Sequence, residues 1–134
     1  MAEALGAIEK IQQTIKAGQF KEALEMTNLA EEHGSSLPEL LYMKAVCHRY
    51  LEEYELALGA LRKLKALSPE NGRAYQEEGH VYRSLGEIQK AITSFERATQ
   101  YNPALEASLK SQLELLDGEK QPQRYMKVRE QLDH

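Results

Sequence analysis

The sequence predicts an all-α chain built as a row of helical hairpins, and three observations predict it. Residues 38–71 and 72–105 align without a gap, an internal period of 34 residues. Within each copy, apolar residues recur at three- and four-residue spacing in two stripes separated by a short break, the spacing that lines one face of a helix. The composition is rich in Ala, Leu, Glu, Lys and Gln, with no Trp and 7% aromatic residues, which favours helix over strand. A pair of short helices cannot bury its apolar face alone, so such pairs must stack.

The landmarks of the two copies coincide. Leu41 aligns with Tyr75, Ala45 with Gly79, His48 with Tyr82, Leu51 with Leu85, Ala57 with Ala91, Leu61 with Phe95, Leu64 with Ala98 and Pro69 with Pro103. Carried back to residues 4–37, the register sets Gly18, Phe20, Ala23, Leu24 and Ala30 against Glu52, Tyr54, Ala57, Leu58 and Leu64. In the third copy, Tyr75, Gly79 and Tyr82 mark the first helix, Leu85-Gly86 the turn, and Ile88, Ala91, Ile92, Phe95 and Ala98 the second helix. Gly79 and Ala91 are small where the two helices cross, so their backbones can approach closely. Pro69 and Pro103 end the preceding helix and are expected in the first turn of the next, where a missing N–H costs little.

The remaining stretch, 106–134, reads as a capping region of a single 1–134 domain. It opens as a further first helix over Leu105 to Leu116 and breaks at Asp117-Gly118-Glu119-Lys120-Gln121-Pro122. A last short helix then carries Tyr125, Val128 and Leu132 on one side. Such a helix can cover the open end of a stack, and an interrupted repeat of a longer protein is an equal reading.

Residues 72–105 resemble the tetratricopeptide repeat family, with Tyr75, Gly79, Tyr82, Ala91, Phe95, Ala98 and Pro103 all at its signature places. Residues 38–71 depart from it at Ala45 and His48, and residues 4–37 lack the first-helix aromatic and the closing Pro. The resemblance implies a right-handed superhelix of antiparallel hairpins, about three repeats plus capping helices, whose first helices line a concave groove for a partner polypeptide.

By the family's register the groove positions are Glu39, Tyr42, Met43, Val46, Arg49 and Tyr50 in the second repeat, and Arg73, Gln76, Glu77, His80, Arg83 and Ser84 in the third. The first set is an apolar strip and the second is polar and basic. Tyr and Arg often dominate interface energies, and Met adapts to varied contacts. In the first repeat Leu5, Ile8 and Ile15 fall on the groove side while Lys10 and Thr14 fall at packing places. Either the groove is apolar there or the first helix is rotated to bury its isoleucines, and rotation is the simpler account. The family's clamp for a C-terminal carboxylate needs Lys and Asn where this chain has Ile8, Gln12, Met43 and Glu77, with Arg73 the one basic residue. That use is disfavoured.

The charge and composition narrow the partners further. A net charge of −4 and a pI near 5.6 give no long-range attraction to nucleic acid or anionic lipid. No run approaches the ~18 apolar residues that span a bilayer, and the N-terminus lacks a signal peptide's pattern. Cys47 is the only cysteine, which rules out an internal disulfide and suits a reducing, cytoplasmic setting. His33, His48, His80 and His134 lack the spacing of a metal helix motif, and no phosphate loop occurs, so neither cofactor nor metal is expected. His48 is expected as a satisfied packing residue, His80 as a groove residue and Cys47 as a buried, inert thiol. Glu52-Glu53 and Glu77-Glu78 read as solvated helix faces.

The expected function is therefore a non-catalytic protein-interaction module. Two other readings remain. Residues 74–105 are loosely similar to repeats that precede a bacterial sulfotransferase domain, and the chain stops at Leu132-Asp133-His134 without an evident domain ending, so it is compatible with an arm of a larger enzyme. Self-association of a weak homo-oligomer through the open ends of the stack is the third.

Overall fold

The computed structural model describes residues 2–34, 37–118 and 120–133, with the side chains of residues 2–5, Leu5 among them, outside the description. Among the described residues there are eight helices and no strand. They are α1 (Ala2–Lys16), α2 (Phe20–Glu32), α3 (Pro38–Tyr50), α4 (Tyr54–Leu67), α5 (Gly72–Ser84), α6 (Ile88–Tyr101), α7 (Glu106–Leu115) and α8 (Pro122–Asp133). The chain divides into two compact units, Met1–Pro69 and Glu70–His134.

The internal period is kept to the residue. The starts of α2, α4, α6 and α8, at Phe20, Tyr54, Ile88 and Pro122, are 34 apart, and so are those of α3, α5 and α7, at Pro38, Gly72 and Glu106. The turn within each of the first three hairpins is also repeated. Gly18, Glu52 and Gly86 all take a left-handed backbone, with φ of 78°, 62° and 78°. Their N–H groups donate to the carbonyls of Ile15, Arg49 and Arg83, and the next residues, Gln19, Glu53 and Glu87, donate to Thr14, His48 and Tyr82. These bonds satisfy carbonyls that the ending helix leaves open.

Pro69 and Pro103 lie in the connections just past the helix ends at Ser68 and Asn102, and not in the following first turns as the sequence suggested. α5 and α7 begin three residues later, α5 behind an Asn71 cap whose side chain accepts from the Ala74 N–H at 3.2 Å. The prolines that do enter a first turn are Pro38 of α3 and Pro122 of α8.

In the first unit, Ile11, Ala23, Leu40, Met43 and Cys47 form a buried cluster against which Ile8, Ile15, Phe20 and Leu24 pack. α1 packs Ile8, Ile11 and Ile15 toward this cluster and leaves Lys10 exposed, with Ile11 at the place that Ala45 and Gly79 hold in the later copies. In the second unit, Ile92, Leu109, Leu116 and Val128 are buried together, with Leu113, Tyr125 and Leu132 packed around them.

Each hairpin fills its crossing with a matched pair of sizes. A Cβ on Gly79 would meet the Phe95 ring at 2.6 Å, so the bulky partner demands a glycine. At the same places the second hairpin has Ala45 and Leu61, and the first has Ile11 and Thr27, all fully buried. As the first-helix residue grows, its counterpart shrinks. α7 and α8 stand where a fourth hairpin would, but Leu113, Tyr125 and Arg129 occupy the places of Gly79, Ala91 and Phe95. Without small residues at the crossing, α8 holds on by a narrow stripe: Val128 is buried, Tyr125 and Leu132 are half-buried, and Arg129 faces solvent.

Candidate functional site

The first helices of the hairpins carry the residues singled out by sequence, and the two units treat them differently. In the first unit Tyr42, Val46 and Arg49 of α3 are half-buried, and Tyr50 at its end is 53% exposed. Tyr50 lies flat on Phe20, the first residue of α2, with ring centroids 4.5 Å apart and planes within 1°. The Arg49 guanidinium carbon is 4.5 Å from the Tyr50 centroid, within cation–π range. Phe20 was read from the sequence only as a repeat landmark. The signal for its surface role is that Phe20 opens one helix where Tyr50 closes another.

Met43 does not belong to this surface. It is 2% exposed and packs into the cluster of Ile11, Ala23, Leu40 and Cys47, because α3 turns that side toward α1 and α2.

In the second unit Arg73, Arg83 and Ser84 of α5 are exposed and Gln76 and His80 half-buried. The Gln76 Oε1 accepts from the Ser108 hydroxyl at 2.6 Å, which ties it to α7. Arg83 reaches the other end of α7, with a nitrogen 2.8 Å from a Glu114 oxygen. That pair is solvent-exposed, so it contributes about 0–1 kcal/mol and leaves the guanidinium open to exchange. His80 meets the Phe95 ring edge-on, centroids 5.1 Å apart.

Glu77 is 3% exposed and therefore is not a groove residue. Glu78 is buried too and accepts from the Ser94 hydroxyl at 2.9 Å. The pair is thus not the solvated face that its charge suggested. Glu52 and Glu53 are exposed as expected, and Glu53 accepts from or pairs with the His48 Nδ1 at 3.1 Å, which satisfies that buried ring.

Burial pushes the Cys47 thiol up to about 11, so it stays protonated at neutral pH. Among the described residues, no three His, Cys, Asp or Glu side chains are placed to hold a metal, and no helix is long and apolar enough to cross a membrane.

The surface is that of short helical hairpins in strict 34-residue register, and the best-formed hairpin, α5 with α6, matches a family profile over residues 72–105 described as tetratricopeptide repeat. The chain carries a tetratricopeptide repeat. Solved structures of tetratricopeptide-type fold match it over 84% to 96% of its length. MamA matches at a TM-score of 0.82 and 21% identity, over 96% of this chain and 75% of that one. The first tetratricopeptide domain of Spaghetti (RPAP3), bound to the HSP90 peptide SRMEEVD, matches at 0.75 and 20%, over 84% and 89%. The Thermobaculum terrenum O-GlcNAc transferase K341M mutant matches at 0.80 and 19%, over 86% of this chain but 22% of that one. At these identities the likeness is one of fold. No curated protein matches the chain by sequence.

Proposed function

We propose that the chain is a protein-interaction module that holds a segment of another polypeptide against its first helices. The observation that carries this is the cluster of Tyr50, Phe20 and Arg49. A large aromatic side chain stays 53% exposed although a stacked ring fixes its orientation. An anchor that is ordered before the partner arrives loses little entropy on binding, and Tyr and Arg are the residue types that most often carry interface energy. Tyr42 and Val46 extend this surface on the first unit, and Arg73, His80 and Arg83 are the contacts offered by the second.

The fold supports the same reading, since the RPAP3 domain of that fold is described with a bound HSP90 peptide. The ligand here differs in chemistry. At the family's carboxylate-clamp positions this chain has Ile8, Gln12, Met43 and Glu77, of which Met43 and Glu77 are buried and Gln12 is uncharged. An acidic C-terminal tail is therefore not the expected partner; an extended segment with apolar and acidic residues fits Tyr50 and Arg49 of the first unit better. Neither catalysis nor a cofactor enters this reading.

Alanine at Tyr42, Arg49 and Arg83 together is expected to abolish capture of crosslinked partners identified by mass spectrometry, with the melting temperature nearly unchanged. Undiminished capture would remove the first-helix surface from consideration. A second reading, an arm of a larger enzyme, is favoured by the transferase match, where a segment like this one makes up 22% of the chain. The reading frame downstream of codon 134 distinguishes it: an immediate stop counts against it.

A further inference from the structure

The α3–α4 hairpin carries a slot at several places where the α5–α6 hairpin has larger side chains. The slot is open and measures about 190 Å³; Leu41, Leu56, Gly59 and Ala60 are its apolar lining, and Lys44 and Lys63 line it too. A Cβ added at Gly59 would meet nothing within 4 Å, and Leu56 is 56% exposed.

The 34-residue register shows what is missing. Leu41, Gly59 and Lys63 correspond to Tyr75, Thr93 and Arg97. In the third hairpin the Arg97 guanidinium carbon lies 6.0 Å from the Tyr75 ring centroid, and the Lys90 ammonium lies 5.6 Å from that of Tyr82. Each ring there sits under a cation from the second helix. The second hairpin keeps the cation as Lys63 but has lost the ring to Leu41, and Gly59 leaves the space open.

We propose that this slot takes a tyrosine side chain from a partner polypeptide whose flanking residues are acidic. The ring would stand between α3 and α4 beneath Lys63, as Tyr75 stands beneath Arg97. The flanking charge follows from a sign reversal: the place of buried Glu78 is taken by Lys44, and that of Ser94 by Ala60. Lys44 holds Glu31 at 3.2 Å across a partly exposed pair, weak enough to be exchanged for a carboxylate of the partner. Glu55 and His48 line the slot as well, and the partner's acidic residues are assigned to the two lysines. This surface is separate from the one built on Tyr50 and Arg49.

The test is a titration of the intact, nitrogen-15-labelled chain with the capped peptide Asp-Glu-Tyr-Glu-Asp, followed by amide shifts. Expected are shifts at Gly59, Ala60 and Lys63, with affinity about tenfold weaker when Ser replaces Tyr in the peptide. Gly59→Leu should give the same loss, because it fills the slot while replacing a poor helix former on an open face, so the variant stays folded. Equal binding to Gly59→Leu, or no shift at millimolar peptide, overturns the proposal. Shifts confined to Arg49 and Tyr50 also overturn it, while leaving the first-helix binding surface standing.

Discussion

At the scale of single residues, the hairpins are specified by complementary volumes. Gly79 is required because Phe95 occupies the space of its missing Cβ, at 2.6 Å from a ring that is itself fully buried. Gly79→Ala gains up to ~1 kcal/mol of helix propensity but overpacks the crossing, which costs about 1–3 kcal/mol. The expected net is a loss of up to about 2 kcal/mol in urea unfolding. Adding Phe95→Leu reproduces the Ala45 and Leu61 combination of the second hairpin and should restore at least half of that loss. A single variant as stable as the parent, or a double variant no better than the single, would refute the pairing. The need for a small residue at Gly79 was legible in the sequence. The inverse pair, Ile11 with Thr27, was not, because each residue alone reads as a departure from the repeat.

At the scale of the element, the left-handed residue that ends each first helix recurs at Gly18, Glu52 and Gly86. Two of the three positions carry the residue that tolerates this backbone, and Glu52 carries one that does not, at φ 62°. Its side chain is exposed and its N–H donates to the Arg49 carbonyl, so glycine can take its place without losing a packing contact. Glu52→Gly relieves a strain of about 1–2 kcal/mol and gives back part of it as unfolded-state entropy. A net gain of about 0.5–1 kcal/mol in the unfolding free energy is expected, and a loss would mean that the carboxylate has a role the backbone does not reveal. The helix boundaries themselves were largely legible, since Gly18 and Leu85-Gly86 mark turns in the sequence. What the sequence left open was whether 106–134 is a cap or an interrupted repeat: with Leu113, Tyr125 and Arg129 at the signature places, it is the backbone that shows α7 and α8 keeping the 34-residue spacing.

The candidate site was legible in part. The register identified Tyr42, Val46, Arg49, Tyr50, Arg73, His80 and Arg83 as residues at or near the surface, but it also picked Met43 and Glu77, which are buried. The register assigns a face by analogy with other repeats. Met43 and Glu77 hold the same place in α3 and α5, 34 residues apart, and both are buried, so the burial belongs to the place and not to the side chain's polarity.

At the scale of the whole molecule, the outcome of losing α8 follows from how little holds it and how much it covers. Val128 is its one buried side chain among the described residues, aided by half-buried Tyr125 and Leu132 and by Arg124 paired with Glu96 across to α6. Beneath it lie Ile92, Leu109, Leu116 and Leu113, an apolar surface that water would contact once α8 is gone. A net charge of −4 over 134 residues is too small for self-repulsion to keep two such surfaces apart at physiological ionic strength. Deleting residues 119–134 should therefore raise the association state in sedimentation velocity while the far-UV helical signal per residue is retained. Val128→Asp in the intact chain should do the same more weakly, by leaving a charge where α8 must dock. If both variants stay monomeric and folded at the concentration where the parent is monomeric, the surface under α8 does not drive association, and α8 serves the stability of its own unit alone.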